Sequence, residues 1–110
     1  MGSLTVHGKN TAATQLGLAY PYMALFTDDA GTVELVGYTR PACNWGAPSN
    51  GVINLTAALT IDVPAGASIK SFGPISALSG GNLGGVHNAG DETFTNAGKY
   101  QITSCPLTVT

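Results

Sequence analysis

The sequence predicts an all-β fold, an antiparallel β-sandwich of about 7–8 strands with a short N-terminal helix. Three observations point there. Apolar residues alternate with polar ones from Gly51 to Val63, the two-residue period of a half-buried strand. Turn signals built from Gly, Pro, Asn and Asp recur at intervals of roughly eight to twelve residues. Strands and helices do not alternate, so nothing suggests a parallel sheet. The chain has 110 residues, which makes it a single domain over 1–110, with an N-terminal arm and short helix at 1–18 and the sandwich at 20–110.

The alternating run organises the rest. Ile53, Leu55, Ala57, Leu59, Ile61 and Val63 fall on one face; Asn54, Thr56, Thr60 and Asp62 fall on the other. Asn50-Gly51 opens it and Pro64-Ala65-Gly66 closes it. Such a strand needs partners at its edges and a second layer over its apolar face.

Residues 1–6, with Leu4 and Val6, are expected to pair as an edge strand or to pack on a neighbour. Ala12, Ala13, Leu16 and Leu18 have the spacing of a helix of about two turns, capped by Asn10 or Thr11 and weakened by Gly17. Residues 20–27, YPYMALFT, form an aromatic strand with Pro21 near its start, as on an edge. A turn at 28–31 follows, then a short strand or loop at 32–36, then a strand at 38–45 interrupted by Pro41. Residues 68–78 read as a strand with a bulge or kink at Gly73-Pro74. A hairpin signal follows at 79–82, then a returning segment with the Gly84-Gly85 pair, a turn at 88–91 and a short strand at 92–95. The last strand, 100–110, changes phase at Cys105-Pro106, which a bulge at Pro106 would explain.

Composition narrows the function. The net charge is −2, and the cations Lys9, Arg40, Lys70 and Lys99 are scattered, so no basic patch offers itself to nucleic acid. Charged residues make up 9% of the chain, against roughly 25% in ordinary domains. Gly, Thr, Ser, Asn and Ala replace them, giving a surface with little self-repulsion and suited to touching other protein. No secretory signal pattern or membrane-spanning run is visible. Cys43 and Cys105 admit either one disulfide or two buried free thiols.

No constellation of residues demands chemistry. His7 and His87 lack a neighbouring Cys or carboxylate cluster and read as loop or strand-end residues rather than metal ligands. Asp28, Asp29 and Glu34 do not have calcium-loop spacing, and turn formation accounts for the aspartates. The sequon at Asn54 falls inside a strand. The glycine-rich stretch 80–85 lacks the Lys-Ser/Thr of a phosphate loop, and no serine lies in a nucleophile elbow. No catalytic residue, metal or cofactor is therefore expected. Tyr20, Tyr22, Ala24 and Phe26 alternate against Met23 and Leu25, so their strand is apolar on both faces. Either it is sandwiched or one face meets a neighbouring subunit. Tyr20 and Tyr22, with Leu4 and Val6, are the candidate interface residues, since Tyr is favoured at interfaces.

Taken in order, several motifs resemble a known group. They are TVHGKN at 5–10, YMALFTDDAG at 22–31, GYTR at 37–40 followed by Trp45, LTAALTIDVPAG at 55–66, GGNL at 80–83, NAGDETFTNAG at 88–98 and LTVT at 107–110. Nearly the whole chain resembles the small virion proteins of tailed bacteriophages, of the minor tail, tail-fibre-like or capsid-decoration type. The resemblance implies a non-enzymatic structural subunit of the virion, made in the bacterial cytoplasm. It would assemble with copies of itself, as a trimer, and with a larger virion protein of the tail or capsid. The alternative reading is a carbohydrate-binding module that touches a host glycan, which a row of exposed aromatics would favour. A small hydrolase is the remaining class, and a polar cleft with a perturbed acid or base would favour it.

Overall fold

A computed structural model describes residues 5–109, apart from the side chains of residues 89 and 90. Among the described residues one helix precedes seven strands: α1 (Val6–Ala19), β1 (Tyr22–Phe26), β2 (Val52–Ile53), β3 (Leu59–Val63), β4 (Ser68–Ile75), β5 (His87–Thr93), β6 (Gly98–Ile102) and β7 (Leu107–Thr108). All strand pairs are antiparallel, in the orders β1-β4-β5, β2-β7 and β3-β6. The β-rich, antiparallel fold expected from the pattern is the one observed.

The organising run pairs with the C-terminal segment, but in two pieces. Leu59 to Val63 face Ile102 to Gly98, and Val52-Ile53 face Thr108-Leu107. Residues 54–58 lie opposite residues 103–106, one residue more, so the register slips by one between the pieces. Pro106 has no N–H to give to a ladder, which suits a break there. The Asn54 side chain bridges the gap: its Oδ1 accepts from the N–H groups of Leu55 and Cys105, each at 2.8 Å. Ile53, Leu59, Ile61 and Val63 are buried as the alternation requires, and Leu55 packs against the same core. Ala57, expected to point inward, is exposed because it lies in the break.

The second layer is β1-β4-β5. Met23 and Leu25 of β1 and Ile69 of β4 meet Leu59, Ile61, Val63, Tyr100 and Ile102 of the β3–β6 ribbon in one core. The other face of β1 carries Ala24 and Phe26, which pack with Ile75, Tyr22 and Leu83 in a smaller cluster. The strand is thus sandwiched within its own chain. Its second cover is the segment around residues 83–86, where Gly84 lies against the Tyr20 ring and the Gly85 carbonyl crosses Gly73. A Cβ at Gly73 would sit 1.9 Å from that carbonyl oxygen, so only glycine admits the crossing.

Three local expectations are corrected. The helix is longer than two turns and starts earlier. Its cap is Thr5, whose hydroxyl accepts from the Gly8 N–H at 3.1 Å. Asn10 and Thr11 lie inside it, because Asn10 serves a tertiary contact, accepting from the Gly51 N–H at 2.8 Å. Val6 therefore begins a helix rather than an edge strand; Leu4 lies outside the described residues. The strand expected at 38–45 is an extended cover with an isolated bridge at Ala42 and another at Trp45. The bulge expected at Gly73-Pro74 is absent, since both pair in register with β1. It sits instead between β4 and β5, where residues 89–91 lie opposite Lys70 alone. That excess absorbs the turn signal at 88–91, and β5 runs through it.

Candidate functional site

Of the candidate interface residues, Val6 is 56% exposed and Tyr20 and Tyr22 are half-buried. Tyr22 belongs to the smaller core cluster, and the Tyr20 ring is backed by Gly84. The Tyr20 carbonyl accepts from Trp45 Nε1 at 3.0 Å. That bond fixes Trp45 beneath α1, where Gly17 approaches its ring closely; a Cβ at Gly17 would lie 3.1 Å from Trp45 Cδ1. The result is a shallow apolar groove of about 450 Å³, lined by Ala13, Gly17, Leu18, Pro21, Trp45 and Pro48, among others. Leu18, at 70% exposed, stands on its rim. Ala12, Ala13, Leu16 and Leu18 have helical spacing in the sequence. Only Ala13 is buried, and no pattern in the residues signals that Leu18 is left outside.

A polar network lies at the outer edge of β1. The N–H groups of Met23, Leu25 and Thr27 point away from β4. Met23 donates to the Pro41 carbonyl at 3.0 Å and Thr27 to the Val33 carbonyl at 2.9 Å. Between them the Leu25 N–H donates to the Tyr38 hydroxyl at 2.9 Å, so a side chain fills the place where the two covering segments part. The Tyr38 hydroxyl in turn donates to the Glu34 carboxylate. Arg40 binds that carboxylate through Nε at 2.8 Å and Nη2 at 2.7 Å. Its Nη1 donates to the carbonyls of Ala77 and Gly80 at 2.7 and 2.8 Å. Arg40 thus ties the 34–40 loop to the turn after β4, beneath a polar hollow of about 310 Å³. Its hydrogen bonds hold the Glu34 carboxyl below the usual carboxylate range, against the opposing effect of burial. Burial, with Glu34 beside it, pushes the Tyr38 phenol well above its ordinary value. Both effects keep the carboxyl ionised and the phenol neutral at neutral pH.

The other singled-out residues have structural work. The Asp28 carboxylate accepts from the N–H groups of Thr32 and Val33, at 3.0 and 3.1 Å, and from the Thr32 hydroxyl, which lowers its pKa. It is a turn aspartate, and Glu34 is committed to Arg40, so the three carboxylates do not converge. His7 lies on α1 and His87 on β5, where His87 stacks on Phe72 with ring centroids 5.6 Å apart. Among the described residues no group of three or more His, Cys, Asp or Glu could hold a metal ion. Cys43 and Cys105 are free thiols in one core region. Burial, with Cys105 adding to it, pushes Cys43 up to about 12, and burial alone pushes Cys105 to about 12. Both therefore stay protonated and unreactive at neutral pH. The aromatic side chains are all buried or half-buried, and of them Trp45 lines the apolar groove. Among the described residues no helix is long and apolar enough to cross a membrane.

No protein-family model, curated protein or solved structure matches the chain.

Proposed function

We propose that this chain is a non-enzymatic structural subunit of a tailed-phage virion, a small minor tail or capsid-decoration protein that assembles with itself and with a larger virion protein. The observation that carries the reading is a surface with few charges in which polar groups serve the fold rather than a site. Glu34, Tyr38, Arg40 and Asp28 are consumed by internal hydrogen bonds. What remains outside is largely uncharged polar surface, the apolar groove beside α1, and exposed Val6, Leu18, Val33, Val36 and Leu78. Such a surface is stabilised by contact with other protein. The motif resemblance supplies the kind of particle. The glycan reading draws no support from the aromatics, all of which are at least half-buried or packed.

The test is to purify particles of a phage encoding this chain on two successive density gradients and to quantify the chain by mass spectrometry. A fixed copy number per particle, with density for the chain in a reconstruction, is expected. Loss of the chain on purification would overturn the assignment.

A further inference from the structure

We propose that the outer edge of β6 pairs with the outer edge of β3 in a second copy of this chain, continuing the β3–β6 ribbon from one subunit into the next. The inference rests on the self-assembly part of the reading above and names the surface that performs it.

Sheet edges carry unpaired N–H and C=O groups, and folded chains cover, bend or charge them. Two lateral edges of this molecule are dealt with. The outer edge of β1 is covered by the 33–35 and 41–43 segments and by the Tyr38 hydroxyl. The outer edge of β5 carries Asp91 and Glu92 and is distorted by the residues opposite Lys70. The outer edges of β3 and β6 are different. Each strand is regular over five residues, contains no proline, and pairs only with the other among the described residues.

These two edges suit each other better than either suits itself. On the outward face, β3 presents Thr60 and Asp62, and β6 presents Lys99 and Gln101. Within one chain Asp62 and Lys99 already face each other at 2.5 Å, both well exposed. If the same register repeats across a subunit boundary, Lys99 also lies about 5 Å in the ladder direction from Asp62 of the next copy. The charges then alternate along the ribbon, each base between two acids. The inner row repeats too, with Tyr100 and Ile102 meeting Ile61 and Leu59 of the neighbour. In a fully overlapped β3–β3 pairing Asp62 meets Thr60, and in a β6–β6 pairing Lys99 meets Gln101, so only the unlike pairing sets Asp62 against Lys99. The single charge on each strand therefore favours the unlike edge.

The test uses two single-cysteine-addition variants at exposed positions, Asp62→Cys and Lys99→Cys, made separately and mixed at high concentration under mild oxidation. A disulfide between the two variants, identified by peptide mass spectrometry, is expected to predominate. Absence of that adduct, or same-variant adducts in excess of it, overturns the pairing. A second arm uses Asp62→Lys and Lys99→Glu. Each alone is expected to weaken self-association about two- to tenfold. Mixing them is expected to give mixed oligomers that associate more tightly than either variant alone, because the β3 edge of the Asp62→Lys chain then meets the β6 edge of the Lys99→Glu chain with opposite charges. A mixture as weak as either variant overturns the pairing. A chain that forms the adduct but is absent from purified particles would sink the virion reading and leave the edge pairing standing. A chain present in particles that gives no adduct would do the reverse.

Discussion

Tyr38 shows how one side chain can complete a strand edge. Its hydroxyl occupies the place where a backbone carbonyl would satisfy the buried Leu25 N–H, and it donates its own hydrogen bond to the Glu34 carboxylate. Tyr38→Phe removes the acceptor and leaves a donor on a fully buried residue without a partner. A loss of about 1–3 kcal/mol in unfolding free energy, read by urea denaturation, is the expected result. Arg40→Ala should cost at least as much, since it frees Glu34 and two carbonyls together. The same network sets a pH response. The Glu34 pKa is lowered in the fold, chiefly by the Arg40 hydrogen bonds, so its contribution is fully present above the unfolded value of 4.5 and is lost as pH falls through the folded value. Asp28 acts in the same direction. Melting temperature should fall steeply below about pH 4.5, less so in Glu34→Gln, which has no carboxylate to protonate. The histidines contribute no ligand cluster. Metal content by elemental analysis should be the same for the wild type and for His7→Ala/His87→Ala.

At the scale of the element, the test of the β3 register is Leu59→Asp. Leu59 is 7% exposed and opposes Ile102 in the core ribbon. An unpaired charge there costs several kcal/mol, comparable with the roughly 5–15 kcal/mol that holds a small domain together. The variant should be unfolded by circular dichroism, and a wild-type melting temperature would show that the side chain faces out. Gly73→Ala addresses the other layer. The added methyl collides with the Gly85 carbonyl rather than with a flexible side chain, so the 83–86 segment must lift off β1. A loss of about 1–3 kcal/mol is expected, with increased amide exchange around Leu83. These two elements also mark what the sequence could convey. The inward face of 53–63 was legible because alternation is local and burial on one side enforces it. The interruption at 54–58 was not, because it depends on the Asn54 side chain reaching Cys105, 51 positions away. The Gly84-Gly85 pair stood out by composition, but its purpose depends on the Tyr20 ring and Gly73, which sequence spacing does not bring together. Likewise Asn10 reads as a cap until Gly51 is placed beside it. Of the candidate site, Val6 reads from the sequence as part of an edge strand or a packed arm and instead begins α1, and the groove needed Trp45 to be fixed under α1.

At the scale of the whole molecule, the chain is elongated, 49 × 26 × 24 Å, with α1 docked against β2 and β7. The β3–β6 part of the ribbon, whose outer edges pair with no other strand among the described residues, lies apart from that docking. Pairing β6 of one copy with β3 of the next is a head-to-tail contact, which either closes into a ring or runs on as a filament. On the proposed virion reading a closed ring is the expectation, and three copies is the number the resemblance implies. Sedimentation at high protein concentration should give a species three times the 11.1 kDa chain mass. Salt separates the forces that hold it. The charge alternation at Asp62 and Lys99 selects the partner edge, and at 1 M salt its reach shrinks to about 3 Å. Backbone hydrogen bonds and the apolar inner row are little affected by that screening, and apolar burial persists. The trimer should therefore survive from about 0.1 to 1 M sodium chloride with a slower association rate, as steering charges affect encounter more than residence. Collapse to monomer in high salt would mean that the charged pairs hold the copies together, and a monomer at every salt concentration would mean that the edges do not meet.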